Sequence, residues 1–195
     1  MKLKKSKILA LGLLTFALFS CEKKTSDTVT TRGLSDTIQV VEDSAALAEK
    51  RKADQIKEKA ALPKPYDETQ DAEKKIKELV VQAQKENKNI ILQAGGNWCI
   101  WCLRFNQYVQ TTPELKEIID QNYLYYHLNY SPKNKNEKVF ASYGNPGDTY
   151  GYPVFIVLDK NGTQIHTQES GSLEQDKGYS LEKVKAFFNA WKPKA

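Results

Sequence analysis

The chain has 195 residues, 27% of them charged and 40% apolar, with three cysteines. So few cysteines exclude a disulfide framework and leave the fold to its core. The formal charge of +5 falls to +1 once residues 1–20 are set aside, because they carry four lysines and no acids; no net-charge argument for nucleic-acid binding survives.

Met1 to Lys7 holds those four lysines, and Ile8 to Phe19 is an apolar run interrupted only by Gly12 and Thr15. This is the length of a signal-peptide core and too short to span a bilayer. The run ends at Leu18-Phe19-Ser20-Cys21. A small residue followed by cysteine after such a run resembles a bacterial lipoprotein processing box, although Phe19 is bulkier than the usual residue there. The resemblance implies that residues 1–20 are a lipoprotein signal peptide and that Cys21 is the lipid attachment site. An ordinary signal peptide or an uncleaved anchor, with a spare Cys21, is the alternative. Export implies an oxidising compartment, where an exposed cysteine pair stays reduced only if something reduces it.

Glu22 to Thr37 is rich in Thr, Ser and Asp and reads as a flexible tether. Asp43 to Leu62 is dense in helix formers, but its apolar positions are mostly alanine, so a solvated helical spacer is expected. Pro63-Lys64-Pro65 closes this tether, residues 21–65, and opens a folded domain over 66–195. Ala72, Ile76, Leu79, Val80 and Ala83 recur at helical spacing. Ile90-Ile91-Leu92 begins a buried strand. A helix follows with Cys102, Phe105, Tyr108 and Val109 on one face. Thr112-Pro113-Glu114 signals a further helix start, with Leu115, Ile118 and Ile119 inward. Tyr123 to Leu128 and Val154 to Leu158 read as strands, separated by a short helix over Lys135 to Tyr143. Asn161-Gly162 turns the chain into a last strand, Thr163 to Thr167. Ser180 begins a final helix presenting Leu181, Val184, Phe187, Phe188 and Trp191 on one face. The order predicts an α/β fold, a central mixed β-sheet flanked by helices on both faces.

Within this order, Trp98-Cys99-Ile100-Trp101-Cys102 places a Cys-x-x-Cys pair at a helix start directly after an apolar strand. Dithiol–disulfide exchange needs that placement: the attacking sulfur must be a thiolate, and a helix N-terminus stabilises negative charge. Half of a zinc site is the bland alternative. Only His127 and His166 could complete it, without paired spacing, so no metal and no other cofactor is expected.

Residues 71 to 192 resemble the thioredoxin superfamily, in its exported Trp-Cys-x-x-Cys branch. The resemblance is carried by Trp98 to Cys102, by His127-Leu128-Asn129, by Gly151-Tyr152-Pro153 before an apolar strand, and by Asp159-Lys160-Asn161-Gly162. It implies a thioredoxin fold, with Cys99 as nucleophile, Cys102 as resolving thiol and Pro153 as a cis-proline. Tyr152 would offer its backbone to a substrate strand. Trp98, Ile100, Trp101, Tyr152 and Pro153 would form an apolar substrate-binding collar. One departure is clear: the position where many thioredoxins bury an acid is Gln93. With His127 it forms either a candidate proton relay or a neutral core pair.

The expected activity is thiol–disulfide exchange on exported proteins with cysteines or disulfides. The protein would sit in the bacterial cell envelope, lipid-anchored through Cys21 and facing the periplasm or in the outer membrane. A membrane thiol carrier would be its electron donor. Ile100-Trp101 brings no charge to the sulfurs, which favours reduction over oxidation or isomerisation. The alternative class is a thioredoxin-like module that binds partner proteins through the collar.

Overall fold

Residues 32–194 are described by the computed structural model. The expected signal peptide, Cys21 and the tether up to residue 31 lie outside the described residues. The chain divides into two compact units, Met1–Ala45 and Ala46–Ala195; the sheet and the cysteine pair belong to the second. No helix among the described residues is long and apolar enough to cross a membrane.

The sheet is built outward from its most apolar strands. β1 (Asn89–Gly95) and β3 (Val154–Leu158) are buried along their whole length, as near-continuous apolar strands covered on both faces should be. β2 (Tyr123–Asn129) runs parallel to β1, β3 antiparallel to it, and β4 (Gln164–Glu169) antiparallel to β3. The strand order is β2-β1-β3-β4, so β1 lies inside the sheet and delivers the segment that follows it to the sheet's end.

Helices cover both faces. α2 (Ala72–Glu86) lays Leu79 and Ala83 on Ile90, Leu92 and Ile156. Its start is capped by Asp71, whose carboxylate accepts from the Lys74 N–H at 3.0 Å, and its end by Asn87 in the left-handed region (φ 51°). α3 (Ile100–Thr111), α4 (Pro113–Asn122) and α7 (Leu181–Ala190) pack on the opposite face around Phe105, Phe155 and Phe188. Phe105 is fully buried, with ring centroids 4.4 Å from Phe155 and 4.8 Å from Tyr179. Truncating such a ring to alanine costs about 3–5 kcal/mol.

The expected order holds, with additions. A short helix, α5 (Glu137–Ser142), fills the interval before β3, and a second, α6 (Pro146–Tyr150), follows it. A small hairpin, β5 (Glu174–Gln175) and β6 (Gly178–Tyr179), precedes α7. Thr112 and Ser180 occupy helix-cap positions, but neither side chain makes a capping bond. The turn after β3 is tied by the Asp159 carboxylate, which accepts from the N–H groups of Asn161 and Thr163. His166 of β4 stacks on Trp191 with centroids 4.2 Å apart.

The helical spacer expected over Asp43 to Leu62 lies within α1 (Arg32–Ala61). Glu58 of α1 takes a bidentate pair from Arg104 of α3, both contacts at 2.7 Å, and Arg104 lies over the Trp101 ring at 4.8 Å. The helix is held by polar contacts that an alanine-rich apolar pattern does not reveal.

Candidate functional site

Where β1 ends, the chain turns through Gly95 and Gly96 and enters α3 at Cys99. Cys99 is the helix N-cap: its backbone is extended, and its sulfur accepts from the Cys102 N–H at 3.2 Å. α3 has no acidic residue in its first turn, so the positive end of its dipole is left for a charge at Cys99. Cys99 and Cys102 form a disulfide, with Cα atoms 5.3 Å apart. Cys99 is 7% exposed and Cys102 0%, so a thiol from outside can reach only Cys99.

The collar residues gather around this pair. The Tyr152–Pro153 bond is cis, and the Tyr152 carbonyl oxygen lies 3.5 Å from Cys99 Sγ. Tyr152 stacks on Tyr130 at 5.4 Å, and burial, with smaller effects of Tyr130 and Asp148, pushes its phenol up to about 12. Trp98 is 45% exposed, stands edge-on to Tyr152 at 5.6 Å and donates its indole N–H to the Tyr130 carbonyl at 2.6 Å. The Trp101 carbonyl accepts from the Tyr179 hydroxyl at 3.1 Å. Ile100 and Trp98 line a shallow groove against Ile56 and Lys59 of α1.

Gln93 and His127 face each other in the β1–β2 register, but no hydrogen bond joins them among the described residues. Both ends of the Gln93 amide are engaged. Its N–H donates to the Cys102 carbonyl at 2.9 Å, and its oxygen accepts from the Tyr125 hydroxyl at 2.6 Å. His127 Nε2 has no partner among the described residues, and burial lowers its pKa from 6.5 to about 4. The ring is neutral at physiological pH.

Two neighbours of the pair escaped the sequence reading. Lys59 of α1 donates its ammonium to the Trp98 carbonyl at 3.1 Å, setting a cation beside the cysteine segment. Tyr66, from the link between α1 and α2, packs against both cysteines. Neither carries a local signal, because each meets the site only through the folded chain. Among the described residues, no three of His, Cys, Asp and Glu converge as metal ligands would.

A four-stranded mixed sheet with helices on both faces, a disulfide at a helix start after an inner strand and a cis-proline against it define a protein of thioredoxin fold. Residues 71–160 match the family model described as thioredoxin-like. Among solved structures, a disulphide isomerase from Xylella fastidiosa Temecula1 is similar. It has a TM-score of 0.58 and 24% identity, over 67% of this chain and 98% of that one. A DsbH oxidoreductase is similar at TM-score 0.44 and 20% identity, over 59% and 80% of the two chains. A redox protein from Chlamydomonas reinhardtii is similar at 0.42 and 20%, over 63% and 35%. No curated protein matches the chain.

Proposed function

We propose that the protein is a membrane-tethered thiol–disulfide oxidoreductase that reduces disulfides of exported proteins. The observation that carries this reading is the Cys99–Cys102 disulfide, with Cys99 at the helix start and just reaching the surface while Cys102 is fully buried behind it. In the reduced protein the Cys99 thiolate attacks a substrate disulfide and forms a mixed disulfide, releasing one substrate thiolate. Cys102 then gives up its proton to water and attacks Cys99 Sγ. The Cys99–substrate bond breaks, and its electron pair leaves with the second substrate sulfur. The substrate gains two electrons and the dithiol becomes the disulfide, which a dithiol reductant must reopen. The collar supplies an apolar surface, and the backbone at Tyr152 a pairing edge for an extended substrate.

Lipid on Cys21 would hold the domain at the cell envelope, and a membrane thiol carrier would return its electrons. The test is Cys102→Ser, which leaves the attacking thiol and removes the resolving one. Exported proteins should accumulate on the variant as adducts that a reductant releases. An adduct-free variant beside an active wild type would contradict the two-step mechanism.

A further inference from the structure

Tyr66 is 3% exposed, and its hydroxyl finds no hydrogen-bond partner among the described residues. A buried hydroxyl left in this state is destabilising, and its persistence calls for a reason. Its placement supplies one. The ring packs on Cys99 and Cys102 in a small cluster apart from the two large cores. Its backbone is clamped by Asn97, whose side chain accepts from the Tyr66 N–H at 3.2 Å and donates to the Tyr66 carbonyl at 2.8 Å. Asn97 directly precedes the Trp98-Cys99 segment, so the tyrosine and the cysteine turn are held as one piece. Gly95 keeps the space between them clear. A Cβ there would lie 2.5 Å from Cys102 Sγ and 3.1 Å from the Tyr66 hydroxyl oxygen, so both atoms border the same small volume.

The residues expected to assist Cys102 are occupied or silent. Gln93 spends both ends of its amide on the Cys102 carbonyl and on Tyr125. His127 is held neutral and turns its ring edge-on to Tyr66 at 5.1 Å. Burial raises the Tyr66 phenol well above its usual value, an effect the nearby Gln93 amide only offsets in part. The group therefore stays protonated and acts as a donor, never as a base.

We propose that the Tyr66 hydroxyl is a catalytic hydrogen-bond donor to Cys102, stabilising the thiolate that forms there as the mixed disulfide is resolved. The assignment rests on the dithiol reaction proposed above. In the closed disulfide Cys102 Sγ is bound to Cys99 and carries no charge. When that bond opens, Sγ is free to turn into the shared volume beside Gly95, where the waiting O–H meets a strong acceptor. Cys102 still gives its proton to water; Tyr66 lowers the cost of the charge left behind. A charge-assisted bond of this kind is stronger than a neutral one.

The test uses the reduced full-length chain carrying Cys21→Ser and the aromatic disulfide 5,5′-dithiobis(2-nitrobenzoate). Attack by Cys99 releases the first nitrothiolate and leaves a mixed disulfide; attack by Cys102 releases the second. Tyr66→Phe keeps the ring and removes only the hydroxyl. In that variant the second release should slow by about tenfold and its pH profile should move about one unit to the alkaline side. The first release should be unchanged, which certifies an intact fold and an intact Cys99. A second release with wild-type rate and pH profile would overturn the role of Tyr66 and leave the dithiol mechanism standing. A wild-type chain that releases only the first equivalent would overturn the dithiol mechanism itself and the Tyr66 role with it.

Discussion

His127 stands between two tyrosine rings, Tyr66 at 5.1 Å and Tyr125 at 5.3 Å, and both are neutral neighbours. Burial brings its pKa from 6.5 down to about 4. Between those two values the unfolded chain binds a proton that the folded protein refuses. Stability therefore rises with pH across this window and is lost as pH falls through it. The loss is on the order of 3 kcal/mol. The urea midpoint should drop from about pH 7 to about pH 4.5, and His127→Gln should flatten much of that drop. Equal drops in the two proteins would show that His127 is not held neutral by the fold. The same neutrality explains why the sequence reading of Gln93 and His127 left two roles open: strand register places them together, but only the folded site shows that the amide is already committed to Cys102 and Tyr125.

At the scale of elements, the C-terminal part of α1 belongs with α3, the helix that begins at the cysteine pair. Arg104 joins them: its guanidinium is bidentate to Glu58 on one side and stacked on Trp101 on the other. The Glu58 carboxyl is held below its ordinary range, chiefly by its hydrogen bond from Arg104. Because Glu58 is partly exposed, the pair is worth only about 0.5–1 kcal/mol. Glu58→Ala should lower stability by that amount and shift the tryptophan emission as Arg104 loosens over Trp101; a variant with unchanged Tm and unchanged emission would mean that α1 is not docked there. Which elements were legible follows from the same physics. β1 and β3 announced themselves as apolar runs because both of their faces are covered. α6 is built from Pro146-Gly147-Asp148-Thr149-Tyr150, a composition that reads as a turn. α1 hid its docking in Glu58 and Lys59, charged residues that on a helix usually mean a solvated face.

For the whole molecule, the chain's reading depends on one local pattern set in a global frame. The Cys-x-x-Cys spacing, the strand before it and the glycine-tyrosine-proline segment after β2 are local, and the fold assembles them at the end of β1. What chain order could not show was the surrounding shell: Tyr66 against the cysteines, Lys59 on the Trp98 carbonyl and Tyr130 under Tyr152. Each is brought in across a long stretch of sequence by helix and sheet packing, and together they enclose the cysteine segment.

The most direct test of the central claim is the redox equilibrium of Cys99 and Cys102 in the full-length chain carrying Cys21→Ser. It would be followed by tryptophan fluorescence in defined thiol buffers. Trp98 and Trp101 flank the pair, so opening the disulfide should change their emission. The account predicts one reversible two-electron transition, with a midpoint near the about −270 mV of a disulfide reductant rather than the about −120 to −180 mV of oxidases and isomerases. A midpoint in the higher range would reverse the proposed direction, and the absence of any reversible two-electron transition would contradict the account altogether.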